Sequence, residues 1–497
     1  MTEVNATNNS MSIKSIMVPL LAIIVGMFMV ILDGTAMNVA IPKLREDFGG
    51  ASLSLVQWTV TGYALAQAAV IPLAGWLSDR FGAKQIYLTS IVLFTIGSAL
   101  CAFATTAEQL IIYRIIQGLG GGMVAPIAMA FTYRLSPPGK QGAVMGMIGI
   151  PMLLAPALGP VLAGWLVDYV TWHWIFIINI PVGAVAVFLG LRTLPALARQ
   201  SVPQLDLLGM IFAPLAFAGL AYGVSEGGTD WGSAKTLTGL IVGGISLIIF
   251  IIVELNRKQP LLELRVFKSA DFSKGIVVQW VSQIALFGTL FLFPLFLQTA
   301  KGYSALDTGL ILLPQALAAA ICMPIGGKLF DKIGARPLVM SGLGIVTIGA
   351  FLLSNISADA TVGTYILPLI LLGAGMGLSM MPLNTHIIQA APPELVGRVT
   401  SLTSAAQQVM TSFAVAGLAT ILARRTEHYM AAEGIANPAD ITPAIASHVA
   451  SASYGDTFLI LTIVGVVGTL VGFLLSKPKR AEGTNAEKAD MPMMMGH

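Results

Sequence analysis

Two residues in this chain stand where a charge is costly. Asp33 is the one charged residue between Ser15 and Pro42, and Arg114 the one between Gln109 and Tyr133. A carboxylate inside hydrocarbon faces a partner or a water-filled cavity. An acid beside a base in such a place can take up and release a proton, with an affinity set by burial and by the neighbouring positive charge. The depths also agree. Asn38, five residues past Asp33, and Gln109, five before Arg114, mark one boundary if the two stretches run in opposite directions. At 1.5 Å per residue both charges then sit about 8 Å inside it. Asp33 and Arg114 are expected to pair, directly or through water. A purely structural ion pair tying two helices together is the plainer alternative.

The elements that hold these residues are membrane helices. Of 497 residues, 56% are hydrophobic and 10% charged, with a mean hydropathy of +0.83. A soluble domain carries about 25% charged residues. A helix crosses roughly 30 Å of hydrocarbon in about 20 mostly apolar residues. Fourteen charge-free runs reach 18 residues or more: 15–32, 48–78, 85–107, 115–133, 141–167, 169–191, 207–225, 236–253, 275–300, 308–327, 337–358, 360–393, 399–423 and 457–476. Short alternating strands, the mark of a barrel, are absent from this pattern. The first run lacks an A-x-A cleavage site and is expected to be retained. With an even number of spans, 20 of the 27 Lys and Arg fall in loops on the side of the termini, six on the other side, and Arg114 inside a run. That bias predicts a multi-pass protein of the plasma (inner) membrane with both termini cytoplasmic.

Other chemistries are excluded. Cys101 and Cys322 cannot build a disulfide scaffold or a multi-cysteine metal site, and the five histidines have no metal-ligand spacing. The run Gly118 to Gly122 lies mid-helix without a Lys-Ser/Thr ending, so no nucleotide loop is indicated. A net charge of +3 gives no reason to expect nucleic acid. Neither an enzyme nor a bound cofactor is expected; the partners are the lipid bilayer and a small molecule.

An internal repeat sets the architecture. Gly75, Asp79, Gly82 and Lys84 recur as Gly327, Asp331, Gly334 and Arg336, at an offset of 252. Pro137, Pro138 and Gly142 recur as Pro392, Pro393 and Gly397, at an offset of 255. The simplest solution is six helices, two inserted helices, then six more. The expected parts are a half at 1–200, an insert at 201–256, a second half at 257–476 and a disordered cytoplasmic tail at 477–497. Parallel repeats of this kind rock around a cavity at the membrane midplane. The glycines permit close helix approach and tight turns. Asp79 can cap a neighbouring helix or pair with a base across the bundle, so Gly75, Asp79, Arg80, Gly82 and Lys84, with Gly327, Asp331, Gly334 and Arg336, are the candidate gate.

Further motifs make the reading specific. They are Leu32-Asp33-Gly34-Thr35 through Asn38 to Pro42; Arg114-Ile-Ile-Gln117-Gly118-Leu-Gly120; Ala155-Pro156-Ala-Leu-Gly159-Pro160 through Ala163-Gly164; Trp172-His173-Trp174 through Asn179 to Pro181; and Pro260-Leu-Leu-Glu-Leu-Arg265-Val-Phe267. Over residues 15–476 the chain resembles the fourteen-helix drug:proton antiporter branch of the major facilitator superfamily. The resemblance implies an all-α major-facilitator bundle. It also implies proton coupling at Asp33 and Arg114, and an antiporter motif at Pro156, Gly159, Pro160 and Gly164. Ala155 and Ala163 replace glycines, and His173 an arginine, that are usual there. The expected activity is export of hydrophobic, cationic or zwitterionic compounds in exchange for protons. Export of one metabolite, such as an amino acid, lipid or siderophore, is the alternative. The cavity is expected to draw on Asn38, Trp58, Tyr63, Gln67, Gln283, Phe287, Phe291 and Asn384, since aromatic faces attract cations. Asp33, read as the single acid deep in any span, would add the counter-charge.

Overall fold

The computed structural model describes residues 13–197, 206–257, 260–356, 360–434 and 442–476; the expected tail, 477–497, lies outside them, as does the boundary expected at 200/201. Among the described residues, fourteen helices are long and apolar enough to cross a membrane. They are α1 (Ile13–Asp47), α2 (Leu53–Phe81), α3 (Ala83–Ala102), α4 (Ala107–Leu135), α5 (Gln141–Tyr169), α6 (Trp174–Thr193) and α7 (Leu207–Gly227). The series continues with α8 (Ala234–Asn256), α9 (Ala270–Thr299), α10 (Ala305–Ile333), α11 (Ala335–Ser354), α12 (Val362–Gln389), α13 (Val396–Ala432) and α14 (Pro443–Val471).

The helix starts follow from local chemistry. Side chains of Ser52, Thr106, Asp206, Ser233, Ser269, Ser304 and Thr442 each accept a bond from a backbone N–H of the first turn. Such caps satisfy donors that the helix itself leaves free. Gly82 and Gly334 sit at φ of 100° and 78°, where L side chains are strained, and turn the chain directly from α2 into α3 and from α10 into α11.

Most helices outrun the charge-free stretches, because a run ends at the first charge and a helix continues past it. The sixth span is a correction. α5 persists to Tyr169, a turn follows, and α6 begins at Trp174 instead of 169. α6 is also interrupted between its pieces Trp174–Ile177 and Asn179–Thr193.

α1 to α6 pack among themselves, as do α9 to α14. The two groups meet along α5 against α10 and α2 against α13. α7 and α8 form a hairpin whose α7 leans on both α2 and α13. Within the hairpin, a Cβ on Gly223 would meet the Gly239 backbone, and one on Gly219 the Gly243 backbone, so the two backbones touch.

Candidate functional site

Asp33 and Arg114 meet. Arg114 Nη1 donates to Asp33 Oδ2 at 2.6 Å, and both side chains have no exposed surface. Gln117 Nε2 donates to Asp33 Oδ1 at 3.0 Å and Asn179 Nδ2 donates to the same oxygen at 2.8 Å. Arg114 Nε donates to the Thr59 carbonyl at 3.2 Å, and the Tyr63 ring centre lies 3.9 Å from its Cζ. Asn179 Nδ2 also donates to Ser98 Oγ, itself bonded to the Phe176 carbonyl. The break in α6 is where this happens: Asn179 opens the second piece, and Phe176 closes under Ser98 in the first. Buried charge is tolerated only when it is paired and hydrogen-bonded, and here α1, α2, α3, α4 and α6 all contribute.

Thr35 stands two residues beyond Asp33, about 200° around α1, and lines a cavity of about 530 Å³ between the halves. α1 thus holds Asp33 inside its own half while offering Thr35 and Val39 to the cavity. Gly159 of α5 is the contact between them: a Cβ there would run into Thr35 Oγ1 and the Leu32 carbonyl. Pro156 and Pro160, on either side of it, line the cavity. Gly164 lies further along α5 against Leu306, at the start of α10.

The repeated loops fill two different roles at the far end. Asp79 Oδ1 lies 3.3 Å from Arg134 Nη2, and Asp79 Oδ2 lies 3.4 Å from Arg398 Nε, which belongs to the other half. Asp331 instead caps α5, accepting from the N–H groups of Gly142 at 2.8 Å and Ala143 at 2.9 Å. A Cβ on Gly75 would strike the Gly397 carbonyl, and one on Gly327 the Gly142 carbonyl. The Asp79 end of the bundle is therefore closed by two backbone-to-backbone crossings and by two carboxylates. Arg80, Lys84 and Arg336 each have a partner within their own half. Arg80 lies over Trp76, Lys84 donates to the Leu191 carbonyl at 2.9 Å, and Arg336 lies over Phe473.

Of the residues expected in the cavity, Phe287 and Phe291 line it, with Gln298, Gln315, Thr308 and Thr411 as polar companions. Gln283 sits behind the wall and donates to Thr411 Oγ1 at 3.0 Å. Tyr63 covers Arg114 instead, and Gln67 lies against Gly121. Asn384 accepts from Gln279 and Gln407 inside the second half. Trp58 faces away, towards Tyr222 of the insert at 6.1 Å between rings. The side chain of Asn38 lies outside what the structure describes. Among the described residues, none of those lining the cavity is charged. The expectation that Asp33 serves as counter-charge for a cation is thus corrected: Asp33 points into its own half.

A second correction concerns the acids. Asp79, Asp206 and Glu254 are 1%, 3% and 1% exposed, so Asp33 is not alone in being buried. Each lies just outside a charge-free run, while the helix or its packing continues past it. Arg398 was also hidden: Gly397 matches Gly142 in the repeat, but nothing in the pattern marks the residue after it. His173, in the turn before α6, stacks on Trp172 at 3.7 Å. Burial pushes its imidazole below the ordinary range, against the pull of Asp47.

The chain resembles known proteins over most of its length. The family model described as Major Facilitator Superfamily matches residues 23–415. The lincomycin resistance protein LmrB of Bacillus subtilis is 31% identical, over 93% of this chain and 95% of its own. A multidrug resistance protein B homolog of Mycobacterium tuberculosis is 35% identical, over 80% of this chain and 74% of its own. Among solved structures, the proton:xylose symporter XylE superposes with a TM-score of 0.62 at 17% identity, covering 94% of this chain and 97% of that one.

Proposed function

The chain belongs to the Major Facilitator Superfamily, a family of transporters and not of enzymes, and from that premise we propose that it exports hydrophobic, drug-like compounds in exchange for protons. The observation that carries this is the placement of Asp33, bonded to Arg114, Gln117 and Asn179, on the same helix as cavity-lining Thr35. A proton arriving at Asp33 cancels the charge that Arg114 holds. The bonds to Oδ1 and Oδ2 then weaken together, and α1 is free to shift. Gly159 leaves no slack between α1 and α5, so that shift reaches Pro156 and Pro160 in the cavity wall.

The cavity supports a broad apolar guest. Its volume of about 530 Å³ suits a drug-sized molecule, and its wall is mostly aliphatic and aromatic, with uncharged polar groups. A single polar metabolite would call for more fixed donors. Drug resistance in the names of LmrB and the protein B homolog points the same way. In this reading, supported by the bias of loop charge, the Asp79 end faces the cytoplasm of a bacterial cell, and the closed contacts there hold the cavity away from it.

Vesicles containing the purified protein test the reading. An imposed proton gradient should drive a lipophilic dye against its own gradient, with protons moving the opposite way. Dye and protons moving together, or dye flux indifferent to the gradient, would sink it.

A further inference from the structure

Asp206 opens α7 and Glu254 lies in the last turn of α8, at the Asp79 end of the hairpin. Each carboxylate has one oxygen committed. Asp206 Oδ1 accepts from the Gly209 N–H at 3.0 Å and lies 3.8 Å from Arg257 Nε, while Glu254 Oε2 accepts from the Leu262 N–H at 3.0 Å. The other two oxygens, Asp206 Oδ2 and Glu254 Oε1, are buried with no donor. They converge on one point, since a Cβ on Gly209 would lie 2.7 Å from the first and 2.6 Å from the second. Two buried carboxylate oxygens thus face the same side of Gly209 with no donor between them. Ionised carboxylates are acceptors without a donor, and two of them buried side by side repel, an arrangement that favours one proton held by the pair. Arg257 and the N-terminus of α7 lie beside Asp206.

This pair is wired to the gate. Glu254 fixes Leu262, and two residues earlier the Pro260 carbonyl accepts from Arg398 Nη1 at 3.0 Å. Arg398 is the base that reaches across to Asp79, which Arg134 faces from the other side. Among the described residues, the other charged groups nearby are Glu263, paired with Arg265 at 3.9 Å, and Arg265 itself, whose Nη2 donates to the Arg257 carbonyl.

We propose that Asp206 and Glu254 form a second proton-binding site, holding one proton between them, and that release of this proton to water at the Asp79 end frees the 260–262 segment and Arg398 and so loosens the closed gate. With both carboxyls ionised, two buried anions repel, and Glu254 leaves Leu262. The closed form is thus the proton-bound form, and rising pH at that end favours opening, by the same reciprocity that makes opening release the proton. The second half of the proposal rests on reading Asp79–Arg398 as a gate; the site itself does not.

Two measurements on the full chain in lipid nanodiscs test it. The first is the deuterium-sensitive C=O stretch of a protonated carboxyl, followed by infrared spectroscopy against pH in an Asp33→Asn background. Glu254→Gln should remove one titrating band, and Asp206→Asn should shift its midpoint by about one pH unit or more, a tenfold change in proton affinity. A spectrum unchanged by either variant overturns the site. The second is the separation of spin labels at Lys140→Cys and Lys332→Cys, across the closed end. With the native pair, longer separations should grow in as pH rises. In Glu254→Gln, which has no proton to lose, the short separation should persist at every pH. The same pH profile with and without Glu254→Gln overturns control of the gate. Neither readout needs transport, so absence of proton-driven dye flux would count against the proposed function and not against this site.

Discussion

Asp79 and Asp331 occupy equivalent places in a duplicated loop, yet Asp79 forms an ion pair across the halves with Arg398 while Asp331 caps the first turn of α5. The sequence reading left both roles open for one residue; the molecule uses each once. The two carboxylates should therefore fail differently when removed.

Asp79→Ala is expected to slow alternation between the two access states while leaving substrate affinity nearly unchanged. Asp331→Ala loses a helix cap, worth about 0.5–2 kcal/mol, and should show mainly as a lower unfolding temperature. Single-turnover flux and thermal unfolding, measured side by side, separate them. A large loss of affinity in Asp79→Ala with normal turnover would contradict the gating role.

Asp33→Asn keeps the shape of the side chain and cannot ionise. Proton-driven export should stop. Binding of both neutral and cationic dyes should persist within about tenfold, or roughly 1.4 kcal/mol, because Asp33 faces away from the cavity. Some folding yield will be lost, since Arg114 is left buried without its counter-charge, a penalty of about 3–5 kcal/mol when a partner is removed outright. Folded protein that still pumps at the unsubstituted rate along a pH gradient would remove Asp33 from the coupling step.

Gly159→Ala should disturb coupling by steric means alone. The new methyl meets Thr35 Oγ1, and overpacking of this kind costs about 1–3 kcal/mol. Adding Thr35→Ala should restore much of the flux. A double variant no better than Gly159→Ala would show that the contact with α1 is not what matters.

Aromatic side chains give a paired test of the cavity. Phe291→Ala should weaken dye binding about tenfold, in keeping with loss of roughly 1.5 kcal/mol or more of apolar contact. Trp58→Ala should leave it within about twofold, because Trp58 packs on Tyr222 outside the cavity. Equal effects, measured by fluorescence titration, would mean that the guest sits elsewhere.

How much could be read beforehand depends on how rare a signal is. Charge is scarce within these spans, so Asp33 and Arg114 declare themselves, and counting residues from each end brings them to one depth. Duplicated glycines mark the close crossings for the same reason. Cavity faces are harder. A helix apolar all round carries no stripe, so Phe291 and Trp58 look alike in sequence although one lines the cavity and the other meets the insert. Asp206 and Glu254 escape because a charge-free run ends at the first acid, whereas burial ends where packing does. Gln117 and Asn179 were visible as parts of motifs, but their bonds to Asp33 depend on how α4 and α6 rotate.

The α7–α8 hairpin has a consequence for symmetry. Its backbones interlock at Gly219, Gly223, Gly239 and Gly243, so it behaves as a single slab. Its α7 rests on both α2 and α13, and Trp231 Nε1 donates to Thr420 Oγ1 at 2.7 Å near one end. Seen from the surrounding lipid, the twofold likeness of the halves is broken: the α2/α13 seam is roofed along one flank, and the α5/α10 seam has no such cover. The bilayer therefore meets two unlike flanks, and lipids next to the protein will be ordered differently on its two sides.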